Sequence, residues 1–145
     1  MEKIISYLKQ FKGNQGIYII RPNDKELLKN ICDKLSFTYS SDIAYIGKAG
    51  ITKSSDLYKR AKQEMGWSNF DGATFVRKMG IYLDFNIKDK RNKALRKETK
   101  LFICKNFYIE CISCNEKFDV LEIETEFIKQ NKPCLNVLKN SVVEK

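Results

Sequence analysis

The sequence contains no histidine among its 145 residues. This absence excludes catalytic pairs and triads in which an imidazole activates serine or cysteine, and it excludes zinc sites built from three histidines. Any hydrolytic reaction of this chain therefore needs another general base. Long apolar runs are also missing, since residues 16–20 are among the longest and a membrane-spanning helix needs about 20. We expect no membrane partner.

Low-complexity tracts, internal repeats and a signal peptide are missing as well. The N-terminal segment becomes charged again by Lys9 and offers no small-residue cleavage site, so we expect a cytoplasmic protein. The length matches one domain, and 43% hydrophobic with 31% charged residues is an ordinary globular composition. The sequence predicts a single domain over residues 1–145.

Acidic residues are too few to balance the basic ones. Lysine and arginine total 27 against 18 aspartates and glutamates, so the formal net charge is +9. An excess of this size is typical of proteins that bind an anionic polymer, most often nucleic acid, although a solvated lysine-rich surface has the same composition.

The five cysteines raise the question of a zinc site. Cys111 and Cys114 have the spacing of metal ligands, with Cys104 and Cys134 as further candidates. Residues 107–113 read as a strand, however, and the side chains of residues 111 and 114 then point to opposite faces. Structural thiols are therefore favoured, and a zinc-stabilised adaptor is kept as an alternative.

Apolar spacing and capping residues predict five helices and three short strands. The helices are expected over residues 1–11, 25–35, 57–65, 71–83 and 119–131, and the strands over 16–20, 43–47 and 107–113. Strands of this length with helices between and around them indicate a small α/β or α+β sandwich.

Residues 86–100 form the most basic segment, with seven positive and two negative charges in fifteen residues. The lysines at 90, 93, 97 and 100 recur at helical spacing and can form one basic face. A solvated surface explains such a run, and contact with phosphates is favoured by the charge of the whole chain. The predicted nucleic-acid-binding residues are Arg77, Lys78, Lys90, Arg91, Lys93, Arg96 and Lys97.

Glu124 stands out in the predicted helix 119–131. The core face of this helix should carry Val120, Ile123, Phe127 and Ile128. Glu124 falls in the middle of that face, where a carboxylate is costly unless a cation meets it. Two interpretations remain open, a buried ion pair and an oxygen ligand for a divalent metal.

Short motifs then occur in a characteristic order along the chain. Gly16-Ile17-Tyr18 is followed by Tyr45-Ile46-Gly47-Lys48 and by Leu57-x-x-Arg60. Glu124-x-x-Phe127-Ile128 and Pro133-x-x-Asn136 come last. This ordered set resembles the GIY-YIG endonucleases from residue 16 to residue 136, which is nearly the whole chain.

The resemblance implies a metal-dependent endonuclease that hydrolyses DNA phosphodiester bonds on a three-stranded, mainly antiparallel sheet flanked by helices. It implies that Glu124 holds one Mg²⁺ or Mn²⁺ ion and that Arg60 clamps the phosphate. Asn136 would hold the site together by hydrogen bonds.

The water-activating role falls to a motif tyrosine, Tyr18 or Tyr45. Free tyrosine titrates near 10, so it needs a nearby cation to act as a base, and Lys48 is placed to supply one. Either tyrosine could instead be a half-buried strand residue, as composition alone would favour.

The chain also departs from the family pattern. The two motif tyrosines lie 27 positions apart, which predicts an insertion over residues 22–42. Glu64 stands where the family often has histidine or tyrosine, which makes it a further candidate catalytic residue. Residues 1–15 form an added N-terminal helix, and residues 66–106 form an additional helical and basic segment.

The competing hypothesis is a catalytically inactive nucleic-acid-binding module on the same scaffold. No obligatory protein partner is visible in the sequence, and a homodimer is left open as a source of sequence specificity. The biological role of an active enzyme, whether restriction, repair, recombination or a mobile element, is also left open.

Overall fold

A computed structural model describes residues 1–89, 91–115 and 117–136. Within these ranges the helices are α1 (Glu2–Leu8), α2 (Lys25–Lys34), α3 (Leu57–Glu64), α4 (Thr74–Tyr82), α5 (Lys93–Asn106) and α6 (Val120–Asn131). The strands are β1 (Gln15–Pro22), β2 (Tyr45–Ala49) and β3 (Phe107–Cys114), and a single 3₁₀ turn over Lys9–Phe11 extends α1. The predicted α+β class, a three-stranded sheet flanked by helices, is confirmed.

The sheet has the order β2-β1-β3, and β1 pairs antiparallel with both neighbours. The central strand is apolar on both faces because helices cover both. Ile17 and Ile19 pack with Ile128 of α6 on one face, and Tyr18 and Ile20 join the larger core on the other. The two faces thus carry different groups, and β2 and β3 form the two edges of the sheet.

Short polar side chains begin most of the helices as the sequence predicts. Asp24, Asp56 and Asp119 accept backbone N–H groups in the first turns of α2, α3 and α6. Asn92 does the same for α5. Ala73 precedes α4 and has no side chain with which to cap it, so the N–H groups of the first turn need an acceptor from elsewhere in the fold.

Several predicted boundaries differ from those observed. The helix predicted over 71–83 begins only at Thr74, because Gly72 has a φ of 73° and belongs to a turn. The second strand begins at Tyr45 rather than at residue 43, since the Ala44 carbonyl accepts the Leu135 N–H at 3.0 Å. The basic segment continues into a helix of 14 residues that ends where β3 begins.

The segment between the two tyrosines packs onto the main core instead of projecting from it. Leu28, Ile31 and Cys32 of α2 are buried, and the Asn23 N–H donates to the Asn106 carbonyl at 2.8 Å. The domain and insertion boundaries given above remain predictions.

The four-cysteine zinc site is not assembled in the described part of the chain. All five cysteines are free thiols, and no group of three or more His, Cys, Asp or Glu residues there could hold a metal ion. Cys111 lies in β3 beside Tyr18 of β1, whereas the Cys104 thiol contacts the Met65 carbonyl. None of the described helices is long and apolar enough to cross a bilayer.

Candidate active site at the edge of the sheet

Tyr18 lies in the central strand and is almost completely enclosed, with only 1% of its surface exposed. Its hydroxyl donates to Oε2 of Glu64 at 3.0 Å. Gly47 lies directly opposite on β2, and a Cβ placed there would come within 2.1 Å of the Tyr18 ring. The glycine of the second tripeptide is therefore what lets the phenol ring lie across β2.

Glu64 is fully buried at the end of α3. Its Oε1 accepts the Val76 backbone N–H at 3.1 Å, so the carboxylate caps α4 where Ala73 cannot. A negative charge is stabilised at a helix N-terminus. Burial nevertheless raises the pKa of Glu64 above its ordinary value, against the opposing effect of these hydrogen bonds and of Arg60. Glu64 thus joins Tyr18 to α4 and has no surface from which to contact a substrate.

Glu64→Gln is expected to change how stability depends on pH. Because the folded-state pKa of Glu64 is raised, its favourable contribution is complete below the ordinary value of 4.5 and declines as pH rises through the folded-state pKa. The amide does not titrate, so the variant should gain stability relative to the wild type over that window. Urea unfolding of both proteins at intervals from pH 4 to pH 8 measures the difference, and parallel profiles would contradict it.

Tyr45 begins the edge strand and is only partly buried. Its ring centroid lies 6.3 Å from that of Tyr18 and 6.1 Å from that of Phe75. The three rings form a continuous aromatic row from the strand to α4. Tyr45 is the more exposed of the two motif tyrosines, and it is the one that solvent can reach.

Electrostatics connects Tyr45 with the other candidate residues. Burial, together with the charges of Glu64 and Glu124, raises the pKa of Tyr45 to about 12 against the opposing effect of Arg60. Arg60 also lowers the pKa of Tyr18, which burial holds well above its ordinary value. Two carboxylates and one guanidinium therefore act on the same phenol.

Arg60 is held in place by polar contacts from its own neighbourhood. Nη1 donates to Oε1 of Gln63 at 2.8 Å, and Nη2 donates to the Gly72 carbonyl at 3.2 Å. The guanidinium is thus oriented before any ligand arrives, and its charge lowers the pKa of both tyrosines.

Glu124 lies on the covered side of α6 as the spacing predicts. Only 7% of its surface is exposed, whereas Glu122 and Glu126 of the same helix are exposed. Since α6 covers the face of the sheet opposite Tyr18, Glu124 belongs to a different side of the sheet, and its charge raises the pKa of Tyr45 in β2.

Lys48 lies on the same side as Glu124. Residues 45 and 48 of a strand point to opposite faces, so the Lys48 side chain leaves β2 on the face of Ile46, which α6 covers. The side chain is exposed. Arg60 lowers the pKa of both tyrosines, whereas Lys48 lies on the side of the sheet that α6 covers.

Asn136 has a structural position next to the same strand. Its Oδ1 accepts the Ile46 N–H at 2.9 Å and its Nδ2 donates to the Ile46 carbonyl at 2.7 Å. This two-bond clamp satisfies the outer backbone of the edge strand between Tyr45 and Gly47.

The donor atoms suit a hard divalent cation. No group of three or more His, Cys, Asp or Glu side chains that could hold a metal ion occurs among the described residues, so an ion at Glu124 would have at most one further ligand of these types there. Mg²⁺ commonly keeps several waters and completes its shell with phosphate oxygens. The site therefore fits a metal that is held jointly with a substrate.

Most of the predicted nucleic-acid-binding residues are exposed. Those on the surface are Arg77, Arg91, Lys93, Arg96 and Lys97. Lys78 differs, because it is partly buried, its Nζ lies 5.4 Å from the Phe37 ring centroid, and burial lowers its pKa to about 8. Lys90 lies outside the described residues.

Three contributors to the site were not predicted from the sequence. Thr74 lowers the pKa of Tyr45, and Gln63 and Gly72 hold Arg60. Only Gln63 is close to Arg60 in sequence, three positions away, and that closeness does not distinguish it from other neighbours.

Comparison with known proteins agrees with this geometry. A family model described as a GIY-YIG catalytic domain matches residues 16–145. No curated protein and no solved structure matches the chain. The matched region contains every motif residue discussed above and most of the chain. The chain therefore belongs to the GIY-YIG catalytic domain family, whose members are nucleases, and its substrate is expected to be a nucleic acid.

Proposed function

We propose that this chain is an endonuclease that hydrolyses DNA phosphodiester bonds with the help of one divalent metal ion. The observation that carries the proposal is that the charges of Arg60 and Glu124, from two sides of the sheet, both act on the Tyr45 phenol at the edge strand. Hydrolysis of a phosphodiester needs an oriented water, neutralisation of phosphate charge and stabilisation of the leaving oxygen. Tyr45 and Arg60 have the chemistry that the first two tasks need.

Tyr45 is the group that we assign to the attacking water. With a pKa of about 12, the phenol keeps its proton at neutral pH, so its oxygen orients the water by accepting a hydrogen bond. Tyr18 is too enclosed to do this, and its hydroxyl is already committed to Glu64. In this proposal Tyr18 supports the site, and Glu64 acts through Tyr18 and α4 rather than on the substrate.

Arg60 is assigned to the phosphate. A guanidinium is always charged and presents several donors in one plane, which matches phosphate oxygens. Its contacts with Gln63 and Gly72 keep it in position, so little side-chain freedom is lost when the phosphate binds. Asn136 maintains the edge strand through Ile46.

Glu124 is assigned as the ligand of one Mg²⁺ or Mn²⁺ ion. When bound, such an ion supplies positive charge to the phosphate and leaving-group oxygens. Lys48 on the same side of the sheet adds positive charge near the incoming DNA.

Incubation with supercoiled plasmid tests the proposed activity. We expect nicked and linear DNA with Mg²⁺ or Mn²⁺, and none in excess chelator. Equal cleavage in chelator would remove the metal from the mechanism. Binding without cleavage of duplex, branched or single-stranded DNA under either metal would favour the nucleic-acid-binding module instead.

Neutralising exposed basic residues of α5 should weaken DNA binding and reduce its dependence on salt. The variant Lys93→Gln, Arg96→Gln, Lys97→Gln removes three charges from an exposed face. Three lost phosphate contacts would reduce the slope of log K against log salt by about 2–3 units for duplex DNA. Fluorescence anisotropy at several salt concentrations measures the slope.

The chain offers a matched control for this triple variant. Lys25, Lys29 and Lys34 are also on the surface, and each already forms an ion pair with a nearby carboxylate. Replacing these three with glutamine changes the net charge equally and should leave the slope almost unchanged. Equal slopes for both triple variants would make the α5 face a solubilising surface only.

A further inference from the structure

Two buried cysteines outside the candidate active site lie in contact with each other. The Sγ atoms of Cys32 and Cys134 are 2.6 Å apart, and the residues are separated by 102 positions in the sequence. Each residue exposes only 1% of its surface. The proposed reaction uses neither thiol.

The two cysteines lie in segments that are far apart in the sequence. Cys32 lies in α2, within the segment that separates the two motif tyrosines. Cys134 directly precedes Leu135 and Asn136. The Leu135 N–H donates to the Ala44 carbonyl at 3.0 Å, and the Asn136 side chain bonds to both backbone groups of Ile46. A covalent bond between the cysteines would therefore attach α2 to the segment that holds the edge strand.

We propose that Cys32 and Cys134 form a disulfide bond when the folded chain meets a small-molecule disulfide such as oxidised glutathione. The Cys32 thiolate attacks one glutathione sulfur, which forms a mixed disulfide and releases the first glutathione thiolate. The Cys134 sulfur then attacks Cys32, loses its proton and releases the second. Two protein thiols are oxidised to one disulfide, and one small-molecule disulfide is reduced to two thiols.

The environment of the pair supports this order of attack. Contact with Cys134 lowers the pKa of Cys32, whereas contact with Cys32 and burial raise the pKa of Cys134. Exchange requires a thiolate, so Cys32 is the better first nucleophile.

The other three cysteines lack such a partner within the described ranges. Cys104 and Cys114 contact backbone carbonyls with their sulfurs at 3.9 Å. Burial raises the pKa of Cys111 to about 12, which makes it a poor nucleophile at neutral pH. The proposed modification is therefore specific to one pair.

Closing this bond should stabilise the fold without changing its arrangement, because the sulfurs already touch in the reduced chain. A crosslink that closes a loop of this length restricts the unfolded chain strongly, and we expect a rise in melting temperature of roughly 5–15 °C. The melting temperature and the number of free thiols do not depend on nuclease activity, so failure of the proposed function would not affect the result.

The test is equilibration of the full-length chain with oxidised glutathione, followed by thiol alkylation and mass spectrometry. A second sample is unfolded in urea and refolded in the same buffer, so that burial of the thiols does not limit access. We expect free thiols to fall from five to three, a crosslinked peptide pair containing Cys32 and Cys134, and reversal by dithiothreitol.

Variants separate this pair from the other thiols. Cys104→Ser should keep both the crosslink and the rise in melting temperature, whereas Cys32→Ala and Cys134→Ala should lose both. Five free thiols in both samples, a crosslink between other cysteines or only glutathione adducts would overturn the proposal.

Discussion

Glu124→Gln is expected to lower DNA cleavage by roughly a thousandfold or more while the protein stays folded. The several kcal/mol of transition-state stabilisation that a metal ion supplies correspond to a rate effect of this size. Glutamine keeps the shape of the side chain and removes the charge that would hold the ion. DNA binding should be retained or tightened, because a negative charge near the phosphate is lost. Plasmid cleavage, anisotropy and thermal unfolding measure the three effects.

Two neighbours of Glu124 supply the control. Glu122 and Glu126 are exposed on the same helix, so Glu122→Gln and Glu126→Gln remove the same charge away from the site and should cut normally. A buried ion pair at Glu124 would give a different pattern, because breaking one costs about 3–5 kcal/mol. A strongly destabilised Glu124→Gln that still cuts in proportion to its folded fraction would overturn the metal assignment.

Tyr45→Phe should abolish most cleavage with little change in stability. The phenylalanine ring keeps its contacts with the rings of Tyr18 and Phe75, and only the hydroxyl that orients the water is lost. Loss of a proton-transfer or water-orienting group typically costs about 10²–10⁴-fold in rate. Single-turnover cleavage and urea unfolding of the same preparation separate activity from stability.

Tyr18→Phe should behave differently, because its hydroxyl serves Glu64. Removing that donor leaves a buried carboxylate with one partner fewer, which costs about 1–3 kcal/mol of stability. The cleavage rate should also fall, because the position of Glu64 is less well fixed. After correction for the folded fraction, this decrease should be smaller than the decrease in Tyr45→Phe. Tyr108→Phe is the control, since Tyr108 is 49% exposed on β3. An inactive but stable Tyr18→Phe beside an active Tyr45→Phe would reverse the two roles.

Periodicity and capping residues were sufficient for most local structure. The helix α6 begins after Asp119 and presents Glu124 to its covered side as predicted, because a 3.6-residue period determines which residues share a face. The start of α4 was not predictable in the same way. Its first turn is capped by Glu64 from another helix, and no local pattern contains that information.

The sequence alone predicted the three-stranded α+β fold, the ordered motifs that mark the family and the candidate site residues, which are Tyr18, Tyr45, Lys48, Arg60, Glu64, Glu124 and Asn136. It could do so because these depend on spacing along one helix or strand and on residue order. Only the tertiary structure decided that the Tyr18 hydroxyl donates to Glu64 and that the Cys32 sulfur contacts the Cys134 sulfur. Tyr18 and Glu64 are separated by 46 positions in the sequence, and Cys32 and Cys134 by 102. These contacts exist because separate elements pack against one sheet, so neither partner carries a local signal for the other.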